Sequence, residues 1–176
     1  MLTVNCELWS RQPYNRFMHF AVVTISDRCS QGLMTDTAGP ATAALLRREW
    51  PDSEIRSEIL PDDEDRIAEL LQRLCDEGAA LVLTAGGTGL GPRDRTPEAT
   101  RRVIDREASG LAEAMRVNGA QHNVYAWLSR GISGLRGHSL IVNLPGSRRG
   151  AEESLASILP LLRHALQVAD GGNEHP

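Results

Sequence analysis

At 176 residues, with 41% hydrophobic and 24% charged side chains, the chain has the apolar content for one full-sized core and requires no second domain. A formal net charge of −4 argues against a general nucleic-acid binder, since counterion release needs clustered cations, so any nucleotide must be held locally. No apolar run approaches the roughly 18 residues of a membrane span, and the amino terminus lacks a basic segment leading into an apolar one, so neither a span nor a secretory signal is expected. Cys6, Cys29 and Cys75 have no CxxC spacing and point to a reducing, cytoplasmic setting more than to a disulfide framework. Lysine is absent and arginine abundant, which suits planar phosphate contacts but follows equally well from genomic base composition. The five histidines are scattered without HxxH or HExxH spacing, so no transition-metal site is expected.

In chain order, residues 1–17 show little periodicity and read as an appended arm. A domain follows over residues 18–169, and residues 170–176 read as a flexible tail. The apolar run FAVVTI (residues 20–25) predicts a central strand ending in Ser26-Asp27-Arg28. A polar stretch through Gly39 leads to a helix over 40–50 that opens on Pro40 and carries Ala44, Leu45 and Trp50. The alternating segment SEIRSEIL (53–60) predicts a second strand, ending at Pro61. Ile67, Leu70, Leu71, Leu74 and Cys75 then place one face of a helix over 62–77, stopped by Gly78. A strand at Leu81–Leu83 runs into a glycine loop, with a helix from about Pro97 whose N-cap is Thr96, and then a weakly patterned region through Ser133. Leu140–Leu144 predicts another buried strand, leading into Pro145-Gly146-Ser147. A closing helix over 152–168 bears Leu155, Ile158, Leu159, Leu162 and Leu166, and Pro160 is expected to kink or divide it. Alternating strands and helices indicate an α/β fold of three layers, a mainly parallel sheet with helices on both faces. In such sheets ligands bind beyond the carboxyl ends of the strands, where the motifs at Ser26, Gly86 and Pro145 all fall. Trp9, Trp50 and Trp127 read as packing residues.

Residues 81–99, LVLTAGGTGLGPRDRTPEA, concentrate the chemistry. Gly86, Gly87 and Gly89 allow close approach of backbone N–H groups to an anion, Thr88 adds a hydroxyl, and the following helix dipole adds positive potential. The loop lacks the Gly-Lys-Ser/Thr ending of a P-loop and the dinucleotide spacing. Asp94 either caps a backbone turn or holds a cation against phosphates, and Arg93 is either its ion-pair partner or a phosphate clamp. Asp62, after Pro61, reads alone as a helix cap. Ser26 and Asp27 are either strand-end turn formers or ligand contacts, and Asn143 needs a partner whatever its role.

The segments TISDRCSQG, DTAG, GGTGLGPRDRTPEAT and NLPGS, in this order, resemble the molybdopterin-binding family that adenylylates molybdopterin in molybdenum cofactor synthesis. The resemblance covers roughly residues 18–169. It implies that Asp62 and Asp94 form the catalytic pair and hold Mg²⁺. It also implies that Ser26, Asp27, Gly86, Gly87, Thr88, Gly89, Ser129, Asn143, Pro145, Gly146 and Ser147 bind molybdopterin or ATP, with Asp36 and Gly39 on the same side. The reaction it implies gives adenylyl-molybdopterin and pyrophosphate. It further implies a homotrimer and possible docking to the molybdenum insertase, with no nucleic-acid or membrane partner. Where family members often have Pro-Lys or Pro-Asn after Pro-Gly-Ser, this chain has Arg148-Arg149, so Arg148 could stand in for a phosphate-binding lysine. Two other readings stay open: a non-catalytic molybdopterin-binding module of the same fold, and a nucleotide pyrophosphatase of competence-damage type.

Overall fold

The computed structural model describes residues 18–171; the arm at residues 1–17, with Cys6 and Trp9, and residues 172–176 of the tail lie outside the described residues. Four strands run parallel: β1 (His19–Ile25), β2 (Glu54–Leu60), β3 (Leu81–Ala85) and β6 (Ser139–Leu144). Two short strands, β4 (Arg106–Glu107) and β5 (Ser133–Arg136), add an antiparallel margin, giving the order β2-β1-β3-β6-β5-β4. The sheet is therefore mainly parallel, as the apolar runs imply. β3 and β6 are buried at every position and need covering on both faces, whereas β2 lies at the edge and is mostly exposed.

Helices supply that cover. Alternate strand residues Phe20, Val22, Leu83 and Val142 face a core built with α2 (Ala38–Glu49), α5 (Ser109–His122) and α6 (Arg148–Ala169). The intervening residues Ala21, Val23, Val82 and Ile141 face α3 (Glu64–Asp76) and α4 (Thr96–Val103). A one-turn helix, α1 (Asp27–Ser30), follows β1 directly. Among the described residues no helix is long and apolar enough to cross a membrane. Cys29 and Cys75 are free thiols.

Several local expectations need correction. The helix predicted from residue 62 starts at Glu64, because the Asp63 carboxylate accepts from Arg66 N–H and caps it, which leaves Asp62 outside the helix. Thr96 is the first helical residue of α4 and does not act as its cap; its buried hydroxyl donates instead to Gly86 O. The weakly patterned region holds β4, α5, a 3-10 turn at Val124–Leu128 and β5. α6 begins at Arg148 and continues through Pro160 undivided, since Leu155, Ile158, Leu162 and Leu166 are buried on both sides of the proline. Trp50 does pack, edge-on to Phe20 at 5.4 Å between ring centroids, with the Arg163 guanidinium over its own ring. Trp127 does not: it is 54% exposed on the 3-10 turn.

Candidate active site

The carboxyl ends of β1, β3 and β6 meet at one point. Gly86 N–H donates to Leu144 O at 3.1 Å, and a Cβ on Gly86 would collide with Ile25 O. Gly86 and Gly87 have φ of +117° and +63°, conformations that favour glycine. A Cβ on Gly146 would lie 3.0 Å from Gly86 Cα, so the Pro145-Gly146 turn closes directly over the glycine loop. From behind, α4 holds the loop through Thr96, whose N–H donates to Gly87 O at 3.1 Å while its hydroxyl takes Gly86 O. Thr88 is buried within it.

Three carboxylates gather beside this loop. Asp62 Oδ2 accepts from Asp27 N–H at 2.9 Å, and Asp27 Oδ1 accepts from Asp62 N–H at 3.1 Å, so the two segments brace each other. Asp62 Oδ1 faces Gly87, whose Cβ, were there one, would lie 3.1 Å away. Asp94 Oδ2 accepts from Gly91 N–H at 2.8 Å, and Cβ atoms on Gly89 and Gly91 would lie 2.9 Å and 2.7 Å from that oxygen. The glycines are therefore what lets the loop wrap the carboxylate. Burial pushes the Asp62 carboxyl above its ordinary range, the Asp27 N–H pulls it back, the charges of Asp27 and Asp94 push it further up, and Arg93 partly offsets them. Arg93 does not pair with its neighbour Asp94; its Nε and Nη2 grip both oxygens of Asp27 at 2.9 to 3.1 Å.

Among the described residues no three His, Cys, Asp or Glu side chains form a ready metal cluster. Asp62 and Asp94 nevertheless fit Mg²⁺ in its common protein setting, one or two carboxylates completed by substrate oxygens and water. Each has one oxygen tied to a backbone amide and a second to offer. Burial, and after it the nearby charges of Asp27 and Asp94, disfavour the ionised Asp62 carboxyl, and a bound cation would favour it.

The remaining expected residues divide by depth. Ser26 caps α1, its hydroxyl accepting from Cys29 N–H at 3.3 Å. Ser147 caps α6 by accepting from Gly150 N–H at 3.1 Å. Asn143 is 1% exposed and lies beneath the site; its amide donates to the Thr84 and Thr100 hydroxyls and accepts from Ile132 N–H. Ser129 Oγ accepts from Gly131 N–H. Asp36 accepts from the amides of Ala38 and Gly39 at the start of α2 and from the Thr24 hydroxyl. Arg148 and Arg149 pair with Glu152 and Glu153 one turn along α6.

Sequence reasoning missed Arg130. Its Nε donates to Gly89 O at 2.7 Å, Nη2 to Asp94 O and Nη1 to the Glu98 carboxylate, while its own N–H donates to Thr88 O at 2.9 Å. One arginine thus holds both ends of the loop that carries Asp94. Burial alone would raise the Glu98 carboxyl, but Arg130 and a backbone N–H outweigh it and hold it below the ordinary range. Only its neighbour Ser129 was marked, by resemblance, because an arginine in a stretch without periodicity carries no local signal.

A mainly parallel sheet with helices on both faces, and a glycine loop with paired aspartates beyond its carboxyl edge, places the chain among α/β domains whose ligand site lies at the strand ends. Residues 21–164 match the model of the family described as "Probable molybdopterin binding domain". The chain belongs to that family. It is 36% identical over 156 residues to the molybdopterin adenylyltransferase of Helicobacter pylori strain J99, covering 88% of this chain and 89% of the relative. It is 39% identical over 150 residues to the molybdenum cofactor synthesis protein cinnamon of Drosophila melanogaster, which is 85% of this chain but 25% of cinnamon, so it spans a quarter of that relative's length. The solved structure of the molybdopterin biosynthesis enzyme MoaB from Thermus thermophilus matches with a TM-score of 0.82 at 46% identity, over 88% of this chain and 98% of that one.

Proposed function

We infer that the chain is a molybdopterin adenylyltransferase, which transfers AMP from ATP to molybdopterin and releases pyrophosphate. The observation that carries this reading is the pair Asp62 and Asp94 placed together at the glycine loop, in a chain matching 89% of a relative that bears that name. The terminal phosphate of molybdopterin attacks the α-phosphorus of ATP, and the bond from that phosphorus to the pyrophosphate oxygen breaks. No protein nucleophile is needed, so the chain's task is positioning and charge. Bound through Asp62 and Asp94, Mg²⁺ would supply the positive charge that the leaving pyrophosphate requires. The amides of Gly87, Thr88 and Gly89 cradle phosphate; Gly86 N–H is spent on Leu144 O and serves the turn instead. Ser129, Pro145, Gly146 and Ser147 border the substrates along the same edge, and Asn143 supports them from below.

The protein acts in the cytoplasm as a homotrimer in this reading. That a similar segment makes up a quarter of the longer cinnamon chain, and about half of the molybdenum cofactor biosynthesis bifunctional protein of Synechococcus elongatus, supports a role beside another activity of the pathway, and we take the molybdenum insertase as the docking partner. The test is pyrophosphate release by the purified protein with ATP and Mg²⁺, with and without molybdopterin. Release that requires molybdopterin is expected. Molybdopterin binding without release would make the chain a binding module, and release without molybdopterin would make it a pyrophosphatase.

A further inference from the structure

Asp62 and Asp94 reach the site from different directions, one after β2 and the other from the loop after β3, and a metal–nucleotide complex needs them at a fixed spacing. Two links run between those segments. Asp27 is bound to Asp62 through reciprocal backbone contacts, its N–H to Asp62 Oδ2 and its Oδ1 to Asp62 N–H. Arg93, the residue before Asp94, grips the Asp27 carboxylate with Nε and Nη2 across 66 residues of chain. Asp94 is itself tied to Gly91 within the same loop.

We propose that the Asp27–Arg93 ion pair is a clasp that sets the spacing of Asp62 and Asp94, making both of its members positioning residues and not substrate contacts. An exposed ion pair, here with side chains 67% and 33% exposed, adds little stability by itself. This one is bidentate, and each end is bonded or adjacent to a catalytic carboxylate, so its effect falls on geometry. The two guanidinium groups best placed at the loop have separate tasks: Arg130 holds its backbone, and Arg93 ties it to the Asp62 side. The clasp rests on the reading of Asp62 and Asp94 as metal ligands.

The test is Mn²⁺ uptake, followed by loss of the free-ion EPR signal, in the presence of α,β-methylene ATP, which binds but cannot transfer AMP. Asp27→Asn keeps the acceptor for Asp62 N–H and removes the charge that Arg93 grips; Arg93→Gln removes the fork. Each is expected to raise the half-saturating Mn²⁺ concentration roughly tenfold, as loss of a supporting partner to a metal ligand does. The double variant should be no worse than the worse single one, because both break the same link. Arg93→Lys should recover only part of the affinity, since an ammonium lacks the fork. Multiplying effects in the double variant would overturn the clasp, as would Arg93→Gln that raises only the KM for ATP and leaves Mn²⁺ uptake unchanged. If the wild-type protein takes up no Mn²⁺ with the analogue, the metal reading falls and the clasp with it; uptake that neither variant alters removes the clasp alone.

Discussion

The two edges of the sheet carry similar residue types in opposite states. At the amino edge a cavity of about 520 Å³ opens among Met18, His19, Cys75, Asp105, Arg136 and Ser139. Polar groups there have partners: the His19 ring lies 3.1 Å from the Glu54 carboxylate, Arg136 meets Asp76, and Asp105 accepts from Gly137 N–H at 2.7 Å. The Cys75 thiol is pushed up by burial, which makes it less reactive. Gly78 and Gly137 have positive φ but open space around them. At the carboxyl edge the glycines are hemmed in by Ile25 O, Thr96 and Asp94, and of the three carboxylates gathered there Arg93 grips that of Asp27. Cavity size and glycine count therefore do not mark the site. Carboxylates brought together beside backbone that admits no side chain do.

The sharpest way to break this contrast is Asp94→Asn. If the metal contact supplies roughly 3 kcal/mol to the transition state, molybdopterin-dependent pyrophosphate release should fall more than a hundredfold with the melting temperature nearly unchanged. Unaltered turnover would remove Asp94 from the chemistry. The two edges can next be compared glycine against glycine. Gly87→Ala meets the Thr96 hydroxyl at a positive φ and should cost about 3 kcal/mol, whereas Gly137→Ala meets nothing and should cost about 1 kcal/mol. Thermal melts that shift equally would show that crowding at the loop is relieved cheaply.

The smallest effect concerns pH. Because the Asp62 carboxyl is raised in the folded protein, its proton is held more tightly there than in the unfolded chain. That contribution is fully present below the ordinary value of 3.8 and is lost as pH rises through the raised one. At neutral pH the ionised group is thus a residual strain, and Asp62→Asn, which keeps an acceptor for Asp27 N–H, should raise the melting temperature by about 2 °C. The gain should vanish below pH 3.8, and activity should be lost throughout. A lower melting temperature at neutral pH would show that burial and neighbouring charge do not disfavour the ionised Asp62 carboxylate.

What the sequence made legible follows from how strongly each segment depends on local pattern. β1, β3 and β6 are buried on both faces and announce themselves as apolar runs; α3 and α6 show their stripes through Ile67, Leu71, Leu155 and Ile158. α5 did not, because only Leu111, Ala112 and Met115 of its 14 residues are buried and the rest carry no period. β4 and β5 are short strands whose pairing is purely tertiary. At the site, Asp94 was marked by its loop and Asp62 by resemblance, yet the neighbouring Asp63 proved to be the helix cap that the bare pattern would assign to Asp62. The partner of the Arg93 side chain lies 66 residues away and those of the Arg130 side chain lie 32, 36 and 41 residues away, beyond the reach of any sequence window.

Under this ionic edge sits a layer of different chemistry. Asn143 joins β6 to Thr84 of β3 and Thr100 of α4 through a neutral amide, and accepts from Ile132 on the approach to β5. Neither an amide nor a threonine hydroxyl titrates near neutrality, and salt does not screen a buried neutral bond. Salt that screens the Asp27–Arg93 pair above therefore leaves the Asn143 bonds untouched. Ligands can come and go above it while the strand ends keep their register, which separates the conditions for occupancy from the conditions for staying folded.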